Sequence, residues 1–330
     1  MKKLYITWLE SFAQAWLDRI EQGRAPHAIL LTGPRGVGKR AAASWIAAQR
    51  LGALAADEMP SYPAIAPERA DLHWISPPED KEAIGIDQIR DLVAEFSLTS
   101  YQGGGKVAVI EPANAMTSNA ANSLLKTLEE PSGDALLILI ADRTGRLPAT
   151  IFSRCQRIAI SAPNEAEGLA WLDRLQPGTD WHEALRLAGH APLAAIDTLE
   201  QLDTHATMAR DFADVGLGRI PALEVAARWS RLDTAFVLEW LARQVQQAVQ
   251  ILSAGRSTGA STAIDESVLR RMDRRNLFCY LDIINRLRGQ PSGSYNVHLT
   301  LESLLIDWAE GLVNCSQNPY RAAMQRLVAR

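Results

Sequence analysis

GPRGVGKR, Gly33–Arg40, follows the apolar run Ala28-Ile29-Leu30-Leu31 and precedes a segment with helical spacing. A buried strand, a glycine-rich turn and a helix in that order are the setting of a phosphate loop. Such a loop wants G-x-x-x-x-G-K followed by Ser or Thr: glycines let backbone N–H groups converge on phosphate oxygens, Lys adds charge, and the hydroxyl holds Mg²⁺. Gly33, Gly38 and Lys39 occupy the required positions, with Gly36 as a further glycine inside the loop. The hydroxyl position is Arg40, which cannot ligate a cation. Lys39 could still bridge phosphates, so binding of ATP or ADP without hydrolysis stays open. Arg40 could equally be a solvated residue, and the whole turn could be a tight strand-to-helix connection using glycine for close packing.

The strand KVAVI, 106–110, leads into Glu111 and Pro112. In an ATPase this strand end carries paired acids, one to hold Mg²⁺ and one to activate water. Glu111 stands alone, and proline cannot serve as a base. Glu111 reads either as a remnant of the first acid or as a carboxylate that happens to end a strand. Two positions needed for hydrolysis are therefore missing from one site.

Strands are expected at 28–32, 72–75, 106–110 and 135–141, alternating with helices over 39–51, 86–96 and 118–130, the pattern of a parallel α/β sheet. The N-terminal segment reads as an amphipathic helix with Trp8, Leu9, Phe12, Trp16 and Ile20 on one face. In TSNAANSLLKTLEEP, 117–131, Ala121, Leu124, Leu125 and Leu128 share a face and Pro131 stops the helix. Pro148 opens a helix carrying Ser153, Arg154 and Cys155 near its end. By spacing alone Arg154 is a basic residue complementing a helix dipole. From Ala162 onward no strand run occurs and the remainder reads as all helix. A composition break near 203–206 and the small-residue stretch 253–267 read as loops.

At 330 residues, 47% apolar and 22% charged, the chain suits two or three folded domains. A formal net charge of −4 excludes a strong whole-molecule attraction to nucleic acid. Any DNA contact is local or made through partners. The three cysteines, Cys155, Cys279 and Cys315, fit neither a disulfide framework nor a zinc spacing, so a reducing, cytoplasmic location is expected. No run is long enough to span a membrane.

Taken together, PHAILLTGPRGVGK (26–39), NSLLKTLEEP (122–131) and IFSRCQ (151–156) resemble the clamp-loader branch of the AAA+ proteins, of the bacterial DNA polymerase III type. IGIDQIR (84–90), ALRLAGHAPLAAI (184–196) and NVHLTLESLLIDW (296–308) extend the resemblance over most of the chain. It implies an α/β RecA-like AAA+ domain over 1–161 with a degenerate ATPase site, a small helical lid over 162–204, and an all-α collar over 205–330 that oligomerises. It further implies that Arg154, within Ser153-Arg154-Cys155, acts as an arginine finger toward ATP bound on a neighbouring subunit, Ser153 and Cys155 shaping the helix end. The implied role is a stator without catalysis of its own, in a polymerase holoenzyme that loads the sliding clamp for DNA replication. Its implied partners are a delta subunit and ATP-hydrolysing gamma/tau subunits, with the clamp and primer–template DNA reached indirectly. An ATPase with unusual metal handling and a pure scaffold are the alternatives. Related subunits often carry a four-cysteine zinc module after the first helix. The segment 51–78 contains no cysteine, so an irregular, proline-containing loop without zinc is expected there.

Overall fold

Alternate residues of the central strands face opposite ways, and both sets are apolar. Ile29, Leu31, Val107, Val109, Ile138 and Ile140 join one buried cluster. Ala28, Leu30, Ala108, Ile110, Leu137 and Leu139 join another. A parallel sheet covered on both faces demands this doubly apolar pattern. The computed structural model describes residues 3–313 apart from 55–57, 80, 98–99, 101–104, 132, 143–146, 255–263, 265 and 291–293. The chain divides into two compact units, Met1–Leu202 and Asp203–Arg330.

In the first unit the order is β1 (Leu4–Tyr5), a 3₁₀ turn at Thr7–Leu9, α1 (Glu10–Glu21), β2 (Ala28–Thr32), α2 (Lys39–Arg50), β3 (Ser61–Tyr62) and β4 (Leu72–Ile75). There follow α3 (Ile86–Phe96), β5 (Lys106–Ile110), α4 (Ser118–Glu129), β6 (Ala135–Ala141), α5 (Ala149–Phe152), β7 (Gln156–Ala159), α6 (Glu165–Leu175), α7 (His182–Leu187) and α8 (Pro192–Glu200). The five-stranded sheet has the order β4-β5-β6-β2-β7 and its pairings are parallel. Residues of α1, α2 and α6–α8 pack on one face, and residues of α3, α4 and α5 on the other. This is a three-layer α/β architecture, a parallel sheet with helices on both faces.

The four expected strands, β2, β4, β5 and β6, and α3 lie where the sequence places them. β7 was not expected: its residues are largely exposed, so the edge strand lacks an apolar run. Within 51–78, the proline-containing segment forms β3, paired antiparallel with β1. Trp45 donates its indole N–H to the Glu58 carbonyl at 2.7 Å, pinning this segment to α2. The N-terminal helix buries Leu9, Ala13 and Trp16, whereas Ile20 is exposed because the helix runs past the edge of its cluster. Residues 162–202, expected within a separate lid, fall in the first unit.

The second unit contains α9 (Leu202–Gly216), α10 (Ala222–Trp229), α11 (Thr234–Ala254), α12 (Glu266–Leu269), α13 (Arg274–Leu287) and α14 (Val297–Ala309). The expected loop at 203–206 is instead part of α9. His205 and Met208 are buried there with Phe212 and Val215, so the helical spacing outweighs the polar composition. Much of the stretch 253–267 lies outside the described residues, as does Cys315. The aromatic heart stacks Phe212 on Trp308 with centroids 4.1 Å apart. Its polar tips are satisfied: Trp308 donates to the Phe212 carbonyl, Trp229 to Asp211, and Tyr280 to the Leu304 carbonyl.

Candidate functional site

Register brings three strand ends together. Thr32 of β2 pairs with Ala141 of β6, and Ile110 of β5 with Leu139 of β6. The next residues, Gly33, Asp142 and Glu111, therefore leave the same carboxyl edge of the sheet, where ligands of open α/β sheets bind. Gly38 caps α2 in the left-handed region with φ 97°, a conformation glycine adopts without Cβ strain.

Lys39 is buried, its side chain 4% exposed.

 Its ammonium donates to the carbonyls of Gly33 at 2.8 Å and Pro34 at 2.5 Å and pairs with the Asp142 carboxylate at 2.7 Å. An ammonium has three N–H donors, and each has an acceptor within this chain.

Arg40 turns toward Glu111. Its guanidinium lies 3.3 Å from the carboxylate and 5.1 Å from the centre of the Trp74 ring, while the Trp74 indole donates to the same carboxylate oxygen at 3.1 Å. Burial pushes the Glu111 carboxyl above its ordinary range. The Arg40 guanidinium, the Trp74 hydrogen bond and the Lys39 ammonium act against that rise, and the Asp142 charge adds to it. Of the two readings of Arg40, the ion-paired geometry replaces that of a purely solvated residue, although the side chain remains 59% exposed.

The loop is also covered by its own unit. Leu193, at the start of α8, donates its backbone N–H to the Gly36 carbonyl at 3.0 Å. A Cβ on Gly36, whose φ is +84°, would overlap Ala194. Trp8 donates its indole N–H to the Val37 carbonyl at 2.9 Å. Gly33 lies so close to the Ile160 carbonyl that a side chain there would collide with it.

Arg154 is placed elsewhere. The helix opened after Pro148 is short, α5 ends at Phe152, and Arg154 and Cys155 lie just beyond its Ser153 cap. Arg154 Nε donates to Glu129 Oε1 at 2.6 Å, and Nη2 pairs with the same oxygen. Nη1 donates to the Thr150 carbonyl and to Ser153 Oγ, both at 3.1 Å. Ser153 in turn donates to the Thr150 carbonyl. Cys155 is buried, which pushes its thiol up to about 11 and keeps it protonated and inert.

The structure thus brings Gly33, Gly36, Gly38, Lys39 and Glu111 into one constellation and Ser153, Arg154 and Cys155 into another. Trp8, Trp74, Glu129, Asp142 and Leu193 were missed as members. Asp142 carried a signal, since it directly follows the apolar run ALLILIA at the carboxyl end of a strand. Glu129 carried another: an acid in the last turn of a helix opposes the dipole and calls for a cation.

Residues 8–164 match the family described as DNA polymerase III, delta subunit. The chain is 33% identical over 306 residues to the DNA polymerase III subunit delta' of Pseudomonas aeruginosa, covering 87% of this chain and 93% of that protein. It is 34% identical over 151 residues to the DNA polymerase III subunit tau of Bacillus subtilis, covering 45% of this chain and 27% of that one. A solved DNA polymerase III gamma-subunit-related protein of Thermotoga maritima is 20% identical, with a TM-score of 0.49 over 90% of this chain and 98% of that one. The chain belongs to the DNA polymerase III subunit delta' family.

Proposed function

We propose that this chain is a non-hydrolysing stator of a clamp-loader complex, which donates Arg154 in trans to ATP held by a neighbouring subunit. The observation that carries the reading is the phosphate-loop constellation. Arg40 stands where a hydroxyl would hold Mg²⁺, and its guanidinium pairs with Glu111, the one acid at the end of β5. Lys39 already has three acceptors. A nucleotide entering this loop would have to displace Asp142 and two carbonyls from Lys39, and would meet no hydroxyl ligand for its metal. Turnover at this site is therefore not part of the proposed role, and neither zinc nor another cofactor is needed for it.

The second constellation supports the donor half of the reading. Arg154 is partly exposed beyond a short helix, and an arginine placed against the γ-phosphate stabilises charge that develops during phosphoryl transfer. The helical unit from Asp203 onward is the proposed collar, which holds the chain in a ring with a delta subunit and gamma/tau-type ATPases, and through them near the sliding clamp and primer–template DNA. No described helix is long and apolar enough to cross a membrane.

The test is Mg²⁺-dependent ATP hydrolysis by the purified chain, with Lys39→Ala as control. No turnover by either protein is expected. Turnover that Lys39→Ala abolishes would instead make the chain an ATPase in its own right.

A further inference from the structure

Glu129 ends α4, where the helix dipole disfavours a negative charge, and the charge is met by Arg154 from 25 residues further along the chain. The way the guanidinium is shared matters. A guanidinium has five N–H donors in a rigid fork, and its Nε/Nη2 edge suits two oxygens of a carboxylate or phosphate. Here that edge is given to Glu129, and the Nη1 end to the Thr150 carbonyl and Ser153 Oγ. A single Nη2 hydrogen is left over. Both partners keep solvent access, with side chains 31% and 48% exposed, so the pair can exchange.

We propose that Glu129 is a positioning residue that latches Arg154: its carboxylate holds the Nε/Nη2 edge until a terminal phosphate on an adjoining subunit displaces it. The inference rests on the finger reading above. Thr150 and Ser153 keep hold of Nη1 during the exchange, so the arginine swaps one anion for another without leaving its corner. Terminal phosphate oxygens carry more charge than one carboxylate and win when the interface closes and water is excluded. In an open interface the carboxylate retains the arginine. The latch therefore restrains the finger when the subunits are loosely engaged, and lets it act when they close.

The experiment uses the complete clamp-loader complex reconstituted with this chain, and measures ATP turnover with and without primer–template DNA. Glu129→Gln keeps an acceptor oxygen but removes the charge. It is expected to raise DNA-free turnover about two- to fivefold, the range that an exposed ion pair sets, with a smaller change when DNA is present. The gain should vanish in the Glu129→Gln/Arg154→Ala double variant, which a merely structural role for Glu129 would not predict. Glu129→Asp, whose carboxylate is too short for the same contact, provides a second variant should the first fail to assemble, and should show the same rise. Unchanged DNA-free turnover, or a fall toward the Arg154→Ala level, would overturn the latch while leaving the finger in place. Wild-type turnover in Arg154→Ala itself would instead remove the finger reading on which the latch rests.

Discussion

The phosphate loop and the Arg154 corner each set a cation against an acid within the first unit, yet they hold it differently. Lys39 is 4% exposed and its ammonium is surrounded by acceptors of its own chain, two of them backbone carbonyls that cannot move without the loop. Arg154 is 31% exposed, and the strongest of its contacts is with a carboxylate that is itself half exposed. Burial makes the first arrangement part of the fold, because an ammonium removed from water needs every partner it has. Solvent access leaves the second free to change partners at modest cost. One constellation is closed inward, and the other is available to a neighbour.

The largest expected effect separates the two directly. In the reconstituted complex, Arg154→Ala should lower hydrolysis at the one ATP site it serves by on the order of 10³-fold, the lower end of what an arginine finger supplies, so that turnover of the whole ring falls by that site's share. Lys39→Ala in the same complex should leave turnover per assembled ring near the wild-type value. Comparable losses from both would erase the distinction, and so would the absence of loss from Arg154→Ala. Assembly measured by gel filtration serves as the control in each case.

Next in size is a substitution that tests how firmly the loop is built into its unit. Gly36→Ala places a Cβ against Ala194 and forces a side chain onto a φ of +84°. Both effects destabilise, together by about 1–3 kcal/mol. Denaturant unfolding should show the loss, and limited proteolysis should cut more readily around α8, whose first turn is tied to the Gly36 carbonyl. A variant as stable as the wild type would mean that α8 yields easily and that the loop is not held shut by it.

How much of this was legible in the sequence depended on how local each feature is. The apolar runs at 28–32, 106–110 and 135–141 announced buried parallel strands because both faces of each are covered. β7 was silent because an edge strand with mostly exposed residues has no such run. The polar composition of 203–206 suggests a loop, but His205 and Met208 stand at helical spacing and are buried in α9. The loop glycines, Lys39 and Arg40 were legible as a defective phosphate site, since their chemistry sits in one short segment. Their partners were not. Trp74 and Asp142 reach the site only through strand order and register, and Leu193 only through the packing of α8 on the loop. Arg154 was identified by its motif, whereas the counter-ion that holds it lies on another helix.

The smallest expected effect concerns Arg40, and its pH dependence has a definite sign. Burial raises the Glu111 carboxyl above the ordinary 4.5, and Arg40 is the first of the groups that oppose the rise. Arg40→Ala therefore raises it further. A carboxyl whose folded value lies above its unfolded value binds its proton more tightly in the folded state. Stability then falls as pH rises from the ordinary carboxyl range through the folded value. Below that window Glu111 is neutral in both states, and the variant should approach the wild type. Above it, the variant carries a half-buried carboxylate without its nearest cation. The loss should be under about 1 kcal/mol at pH values near 8, because Arg40 is largely exposed, and should shrink toward pH values near 4. Adding Glu111→Gln should remove the pH dependence of the difference. A loss that is the same at both ends of the range would mean that Arg40 acts through its contact with the Trp74 ring and not through the Glu111 charge.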